Sequence, residues 1–145
     1  MEKNKINTLL YIALTAKEIQ CAFKSRLSDL EVDVPVESLG ILLAVNLNDE
    51  DVIQQDIAAI MKKDKSVVLR QIDSLEKNAL VQRFIDPGDR RRNIIKITGK
   101  GMKLIDEINM KLDKLYALLT DGLEPSEMDA FHKVLSHFRN KARAL

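Results

Sequence analysis

The amino-acid sequence predicts a mainly α-helical fold with one small β-hairpin. Apolar residues recur at spacings of three and four along most of the chain, the period of a helix with one buried face. Only 4% of the residues are aromatic and there is no tryptophan, so the core must be built from aliphatic side chains, a composition that favours helices. Apolar residues also flank Pro87 and Gly88 on both sides, which indicates two short strands joined by a turn.

The N-terminal third predicts two helices. The first is long and amphipathic, with apolar positions over about seven turns at Ile6, Leu9, Leu10, Ala13, Ala16, 21–23, Leu27 and Leu30. A helix of this length is too long for a small domain to cover by itself. A second helix is expected after Pro35, and its mostly buried surface would be Leu39, Leu42, Leu43 and 45–47.

Two shorter helices are predicted next. Asp51 followed by Gln54 resembles a capping box, so a third helix is expected from about Val52 to Met61. Its inner face would comprise Ile57, Ala58 and either Ile60 or Met61. A fourth helix is expected from about Lys65 to Lys77, with an apolar stripe of Val68, Ile72 and Leu75. Its opposite side is polar and carries Ser66, Arg70, Asp73, Ser74 and Lys77, with Val67 on the flank.

The remaining elements are a hairpin and two helices. Asn78 is expected to end the fourth helix in the left-handed conformation. Strands are predicted around residues 80–85 and 93–97, and Thr98 with Gly99 and Gly101 would open a helix that runs to about Leu119. Pro125 suits the first turn of a last helix. The apolar stripe of that helix would be Met128, Phe131, Val134 or Leu135, and Phe138.

Charge is concentrated in the middle of the chain. Residues 62–103 contain twelve cationic and five anionic side chains, a net charge of +7, although the whole chain carries only +1. Three consecutive arginines, Arg90, Arg91 and Arg92, stand at the predicted hairpin tip, where their partner is either a nearby carboxylate (Asp86, Asp89) or an external phosphate. This segregation is typical of a nucleic-acid-binding module.

The predicted order of helix, short helix, polar-faced helix and basic hairpin is that of a winged helix-turn-helix. The stretch DSLEKNALVQRFIDPGDRRRNIIKITGKG resembles the core of the multiple antibiotic resistance regulator (MarR) family. The family pattern is Asp-x-Arg, a short alternating strand and Leu-Thr-x-x-Gly. Asp89, Arg91, Ile95, Ile97, Thr98 and Gly101 stand at the matching positions, with Ile97 in place of Leu. Ala79 departs from the pattern because relatives usually have Gly there.

The resemblance implies a bacterial, homodimeric transcription regulator, most simply a ligand-responsive repressor of a pseudo-palindromic operator. Residues 1–145 would form a single unit, with dimerisation helices at 1–33 and 104–145 and a winged helix-turn-helix lobe at 36–101. Within that lobe, the recognition helix would be about 65–77 and the wing about 81–98. A winged helix that binds protein instead of DNA is the alternative.

The resemblance also implies roles for individual residues. Ser66, Val67 and Arg70 would reach base edges in the major groove, and Ser74 belongs to the same contact set. Phosphate contacts are expected from Lys65, Lys77 and Gln54 or Gln55. One wing arginine would enter the minor groove, with Asp89 holding a guanidinium in position; the contact set at the tip is Asp89, Arg90, Arg91 and Arg92.

Other functional classes find little support in the sequence. We expect no enzyme and no cofactor, because no nucleophile elbow, phosphate-binding glycine loop or framed carboxylate pair is present. His132 and His137 lie about 140° apart on a helix, which makes a zinc site improbable. The lone Cys21 is expected to be buried and inert. Tyr11, Phe23 and Tyr116 could line an effector pocket, but we expect each of them to pack in the core. Relatives often bind small aromatic or anionic effectors, and the lack of a membrane-span pattern or signal peptide predicts the cytoplasm.

Overall fold

The computed structural model describes residues 2–48 and 51–145, with side chains described from residue 7 onward except at 49–50. The side chain of the predicted apolar position Ile6 therefore lies outside the described part. Its elements, in chain order, are α1 (Glu2–Leu27), α2 (Val36–Asn46), β1 (Val52–Ile53), α3 (Gln54–Met61), α4 (Lys65–Lys77), β2 (Val81–Ile85), β3 (Asn93–Ile97), α5 (Gly99–Leu119) and α6 (Pro125–Arg143). The chain divides into two compact units, Met1–Asp113 and Lys114–Leu145. All predicted helices and both predicted strands are present.

The sheet has three antiparallel strands in the order β1-β3-β2, one more than the predicted hairpin. β2 and β3 pair from Val81 with Ile97 to Ile85 with Asn93. On the other side of β3, Val52 pairs with Ile95 and Ile53 with Ile94. The predicted capping box at Asp51 and Gln54 is therefore wrong, because these residues flank a strand and α3 begins only at Gln54 without a side-chain cap. Asp51 instead forms an ion pair with Lys96 of β3 at 3.3 Å.

The core lies in the first unit, where α2, α3, α4, the sheet and the start of α5 pack together. Its most deeply buried side chains include Leu39, Ile41, Leu42, Ile57, Val68, Ile72, Leu75, Val81, Ile105 and Ile108. The predicted stripe of α4 is thus confirmed as core. One predicted core position is wrong, because Leu47 is 82% exposed past the end of α2. Of the two alternatives for the inner face of α3, Met61 packs against the core and Ile60 is half-exposed.

The turn after α4 places the left-handed residue one position later than predicted. Asn78 has φ −87° and Ala79 has φ +57°. The amide of Ala79 donates to Glu76 O and that of Leu80 to Leu75 O, each at 2.9 Å, which is the Schellman pattern. Ala79 therefore adopts a left-handed conformation that favours glycine, at the cost of a Cβ contact that glycine avoids.

The start of α5 explains the Thr-x-x-Gly spacing. The Thr98 hydroxyl accepts a hydrogen bond from the Gly101 amide at 3.0 Å and donates to Ala79 O at 2.6 Å. A Cβ added at Gly101 would lie 2.2 Å from Leu80 O, so only glycine fits. Threonine and glycine together fix the first turn of α5 against the α4–β2 connection.

The helices nearest the two chain ends expose many apolar side chains. On α1, Leu9, Leu10 and Leu14 are each more than half exposed, and Tyr11 is 74% exposed. Cys21 is also exposed, so its predicted burial is wrong within a single chain. Core packing is likewise wrong for Tyr11 and for the half-exposed Tyr116, whereas Phe23 does pack against the core.

The last helix, α6, begins at Pro125 as predicted. A capping box supports this start, because the Glu124 amide donates to the Glu127 carboxylate at 2.9 Å and the Glu124 side chain accepts a bond in return. None of its residues is buried, although Phe131, Val134 and Phe138 form the expected apolar stripe. The stripe is therefore exposed in a single chain.

Candidate nucleic-acid interface

Helix α4 has one buried face and one exposed polar face. The apolar stripe lies in the core, which turns the opposite side toward solvent. Lys65, Ser66, Arg70 and Lys77 are exposed, while Val67 and Ser74 are partly buried at the edges of this face. Because the core fixes the rotation of the helix about its axis, it also determines which side chains a partner can reach.

The tip of the hairpin, residues 86–92, carries the three predicted arginines. The Asp86 carboxylate accepts a bond from the Gly88 amide at 2.8 Å, which closes the turn at Pro87 and Gly88. Asp89 accepts from the Arg91 amide at 3.0 Å and pairs with the Arg92 guanidinium at 3.2 Å. All three arginine side chains are exposed, so the two tip aspartates shape the turn and compensate only part of its positive charge.

The tip end of the hairpin brings two of the wing arginines close to α3. Arg91, Arg92 and Asn93 line a cleft of about 90 Å³ together with Gln54 and Gln55, the first two residues of α3. No side chain caps the first turn of this helix, so its amides remain available to an acceptor. Glutamines predicted from the sequence as phosphate contacts thus lie beside arginines of the predicted wing.

Arg83 is a residue whose role the sequence does not reveal. It lies in the middle of β2, and by sequence it is one of twelve cations in the basic segment. Its guanidinium pairs with the Asp73 carboxylate at 2.5 Å and with the Glu76 carboxylate, and its backbone amide donates to Glu76 at 3.2 Å. Asp73 and Glu76 stand three apart on α4, a spacing that marks two carboxylates on one side of the helix.

A second feature lies between α1 and α2. An open, mainly apolar cleft of about 370 Å³ is lined by Ile19, Gln20, Phe23, Lys24, Val36, Glu37, Gly40 and Lys63. Lys24 donates a hydrogen bond to Glu37 at 2.7 Å across its edge. This bond lowers the pKa of the Glu37 carboxyl and raises the pKa of the Lys24 ammonium. The cleft therefore combines apolar walls with two lysines and one carboxylate.

Neither a metal site nor a membrane span is found in the part of the chain that the structure describes. Among residues 2–48 and 51–145, no group of three or more histidine, cysteine, aspartate or glutamate side chains could hold a metal ion. None of the helices in these ranges combines the length and apolar character needed to cross a bilayer.

Comparison with known proteins identifies relatives. The MarR family model matches residues 47–92, from the end of α2 to the tip of the hairpin. The uncharacterised HTH-type transcriptional regulator YxaD of Bacillus subtilis is 31% identical over 88 residues, and this chain matches 61% of its length.

Solved structures agree over most of the chain. A MarR-family transcriptional regulator from Rhodococcus sp. RHA1 has a TM-score of 0.77 at 25% identity, covering 94% of this chain and 93% of that one. CouR from Rhodococcus jostii RHA1, solved bound to p-coumaroyl-CoA, has a TM-score of 0.73 at 25% identity, with 88% of each chain covered. With the polar face of α4, the three-stranded sheet and the Thr98-to-Gly101 turn, these matches show that residues 47–92 are similar to the MarR family and that the chain has the winged helix-turn-helix fold of the solved MarR-family structures.

Proposed function

We propose that this chain is a cytoplasmic regulator of transcription that binds double-stranded DNA in a sequence-specific manner. One observation carries the proposal: the exposed polar face of α4 is held beside a hairpin whose tip exposes three arginines. A helix of this kind fits the major groove, and a basic hairpin beside it fits the minor groove and the flanking phosphates.

The proposed contacts divide into those that read bases and those that position the protein. Ser66, Val67 and Arg70, near the first turns of α4, would reach base edges, with Arg70 directed to a guanine. Ser74, farther along the same face, belongs to the same proposed set of DNA contacts. Lys65 and Lys77 at the two ends of α4, with Gln54 and Gln55, would bind phosphate. The uncapped start of α3 supports this assignment for the two glutamines.

The wing would act chiefly through Arg90 and Arg91. The guanidinium of Arg92 is already paired with Asp89. Arg90 and Arg91 are exposed at the tip, and Arg91 also lines the cleft beside α3. One of them would enter the narrow minor groove, where the negative potential is strongest. Asp89 would hold the tip turn through its bond to the Arg91 amide.

A homodimer would place two such surfaces on a pseudo-palindromic operator. The exposed leucines of α1 and the exposed stripe of α6 are apolar surfaces of the kind that usually mark a contact with another protein chain. A two-fold axis would cover both with the same surfaces of a second copy. Half-sites would then be about one helical turn of DNA apart.

We further propose that a small aromatic or anionic effector regulates this binding, most simply by relieving repression. The cleft between α1 and α2 supports this, because it combines apolar walls with Lys24 and Lys63 and lies between a proposed dimerisation helix and the winged region. CouR, bound to p-coumaroyl-CoA, is a relative whose ligand is both aromatic and anionic. A ligand that favours one arrangement of α1 relative to α2 would change DNA affinity.

The test is fluorescence anisotropy of the purified protein with the duplex upstream of its own gene and with a scrambled duplex, across a salt series. Sequence-specific binding predicts a preference for the upstream duplex and a steep loss of affinity with salt. Weak binding without preference would favour the alternative of a protein-binding winged helix and direct the work to pull-downs.

Two variants assign the contacts within that experiment. Arg91→Ala should weaken binding to both duplexes and reduce the salt slope by about one unit for each phosphate that the variant no longer binds. Arg70→Ala should instead relax the preference at one half-site position, at a cost of about 1–3 kcal/mol for each base edge that Arg70 reads. Arg26→Ala, which removes an exposed cation at the end of α1, is the control. Equal reductions in affinity for Arg70→Ala on every duplex would contradict base reading by Arg70.

A further inference from the structure

Arg83 connects the hairpin to the recognition helix through side chains. The covalent connection between α4 and β2 is short, only Asn78 to Leu80, and it fixes the base of the hairpin. Farther out along β2, the Arg83 guanidinium reaches back to Asp73 at 2.5 Å and also to Glu76. The side chain is 18% exposed, whereas Asp73 remains about half exposed. The arginine is therefore enclosed between the strand and the helix.

The backbone of Arg83 takes part in the same cluster. β2 is an edge strand, because the sheet order places β3 between it and β1. The Arg83 amide donates to Glu76 Oε1 at 3.2 Å, so a side chain of α4 satisfies a donor on this edge. Glu76 thus binds both the main chain and the guanidinium of one residue, which restrains the strand more strongly than a single ion pair would.

These bonds leave Arg83 poorly suited to contact DNA. Two of its guanidinium nitrogens already face carboxylates, and the group is largely enclosed. Asp73, in contrast, lies on the solvent side of α4 near Arg70 and would repel phosphate if it were unpaired. The same arginine therefore neutralises an anion close to the proposed DNA surface.

We propose that Arg83 is a positioning residue, which holds the wing at a fixed angle to α4 through Asp73 and Glu76 without touching DNA. This inference rests on the proposed function. Fixing the angle matters because the polar face of α4 and the wing arginines must meet adjacent grooves of one duplex at the same time. A wing that moves freely would bind DNA less tightly even though it retains every arginine.

The test compares Arg83→Met and Arg83→Lys with Gln82→Met, the matched control at the exposed neighbouring position of β2. Salt-dependent anisotropy measures the affinity and the number of phosphates bound, and hydrogen exchange followed by mass spectrometry measures the opening of residues 81–98. Thermal unfolding identifies any variant that fails to fold. Arg83→Lys keeps the charge but cannot bridge both carboxylates, so it separates charge from geometry.

Both Arg83 variants should show an affinity reduced on the order of tenfold, the size typical of removing a coupling residue, while the salt slope stays that of the wild type. Hydrogen exchange in the wing should become faster, and Gln82→Met should change neither quantity. Wild-type affinity in both variants overturns the inference. A salt slope reduced by a full unit also overturns it, because Arg83 would then bind phosphate.

A third variant separates positioning from simple neutralisation. Combining Arg83→Met with Asp73→Asn and Glu76→Gln removes the unpaired carboxylates without restoring the bridge, so the affinity should stay low. Recovery of wild-type affinity would show that Arg83 only neutralises and would overturn the inference. If the wild type itself shows no preference for any duplex, the proposed function fails, and wing exchange alone decides: faster exchange in both variants supports positioning, and unchanged exchange overturns it.

Discussion

The winged region, which runs from α2 to β3, and the terminal helices α1 and α6 differ in how they bury their apolar side chains. Between α2 and β3, nearly every large aliphatic residue of the predicted stripes is in a shared core. In α6 no residue is buried, and in most of α1 the leucines face water. The contrast shows that the winged region contributes most of the buried core, whereas α1 and α6 carry apolar surface that a single chain does not cover.

The largest expected effect tests the packing of the winged region. Gly101→Ala should lower the free energy of unfolding by about 3 kcal/mol, the upper end of typical overpacking costs, because the new Cβ meets Leu80 O at 2.2 Å. Gly99→Ala is the matched control, since a Cβ there meets nothing within 4 Å. Urea unfolding of both variants measures the difference. Equal stability would mean that the start of α5 can move away from Leu80.

The next prediction tests the terminal helices. Leu10→Glu combined with Leu14→Glu should weaken the proposed dimer on the order of a hundredfold, because two carboxylates would be buried without partners. Thr15→Glu, about 100° from Leu14 around the helix, is the control. Sedimentation equilibrium gives the association constant, and circular dichroism shows whether the winged region stays folded. Unchanged association would exclude this face of α1 from the interface.

A smaller effect concerns the turn that joins α4 to β2. Ala79→Gly should raise the free energy of unfolding by about 0.5–1 kcal/mol, because relief of the left-handed strain exceeds the entropy added to the unfolded chain. Ala59→Gly, in the interior of α3, should lower it by roughly 0.5–1 kcal/mol. Denaturant midpoints compare the two variants. A destabilised Ala79→Gly protein would mean that the Ala79 methyl group makes a favourable contact.

The smallest expected effect is a pH dependence of the free energy of unfolding. It arises from the ion pair between Asp29, just after α1, and Lys111 of α5. The hydrogen bond from Lys111 lowers the pKa of the Asp29 carboxyl. A lowered pKa stabilises the fold above the unfolded value near 3.8, and this contribution is lost as the pH falls through the folded pKa. Lys111→Met should raise the Asp29 pKa, measured by NMR titration, and Lys103→Met should not. An unshifted Asp29 would show that the bond does not persist in solution.

Local patterns predict the helices and the hairpin but not the contacts between distant residues. The helical period locates α4, and Pro125 locates the start of α6, because both signals lie within a few residues. The third strand escapes prediction because Val52 and Ile53 pair with Ile95 and Ile94, far along the chain. The Asp51 capping box fails for the same reason, since strand pairing displaces a local preference.

The candidate site is predicted unevenly for physical reasons. Residues on the outer side of α4 and at the hairpin tip follow from periodicity and turn chemistry. Arg83 cannot be distinguished by sequence from the other cations of the segment, because its partners lie on another element. Intrinsic tendency favours Asn78 over Ala79 for the left-handed position, but the Schellman bonds impose that conformation on Ala79. The exposure of Cys21 depends on which side of α1 the core occupies.

The left-handed Ala79 also has a consequence for the gene. Every alanine codon becomes a glycine codon through one base change, so the unstrained turn is a single point mutation away. Error-prone amplification followed by selection for folding at raised temperature can therefore reach this change, a C-to-G transversion. Glycine at position 79 should be recovered in such a selection without any designed library.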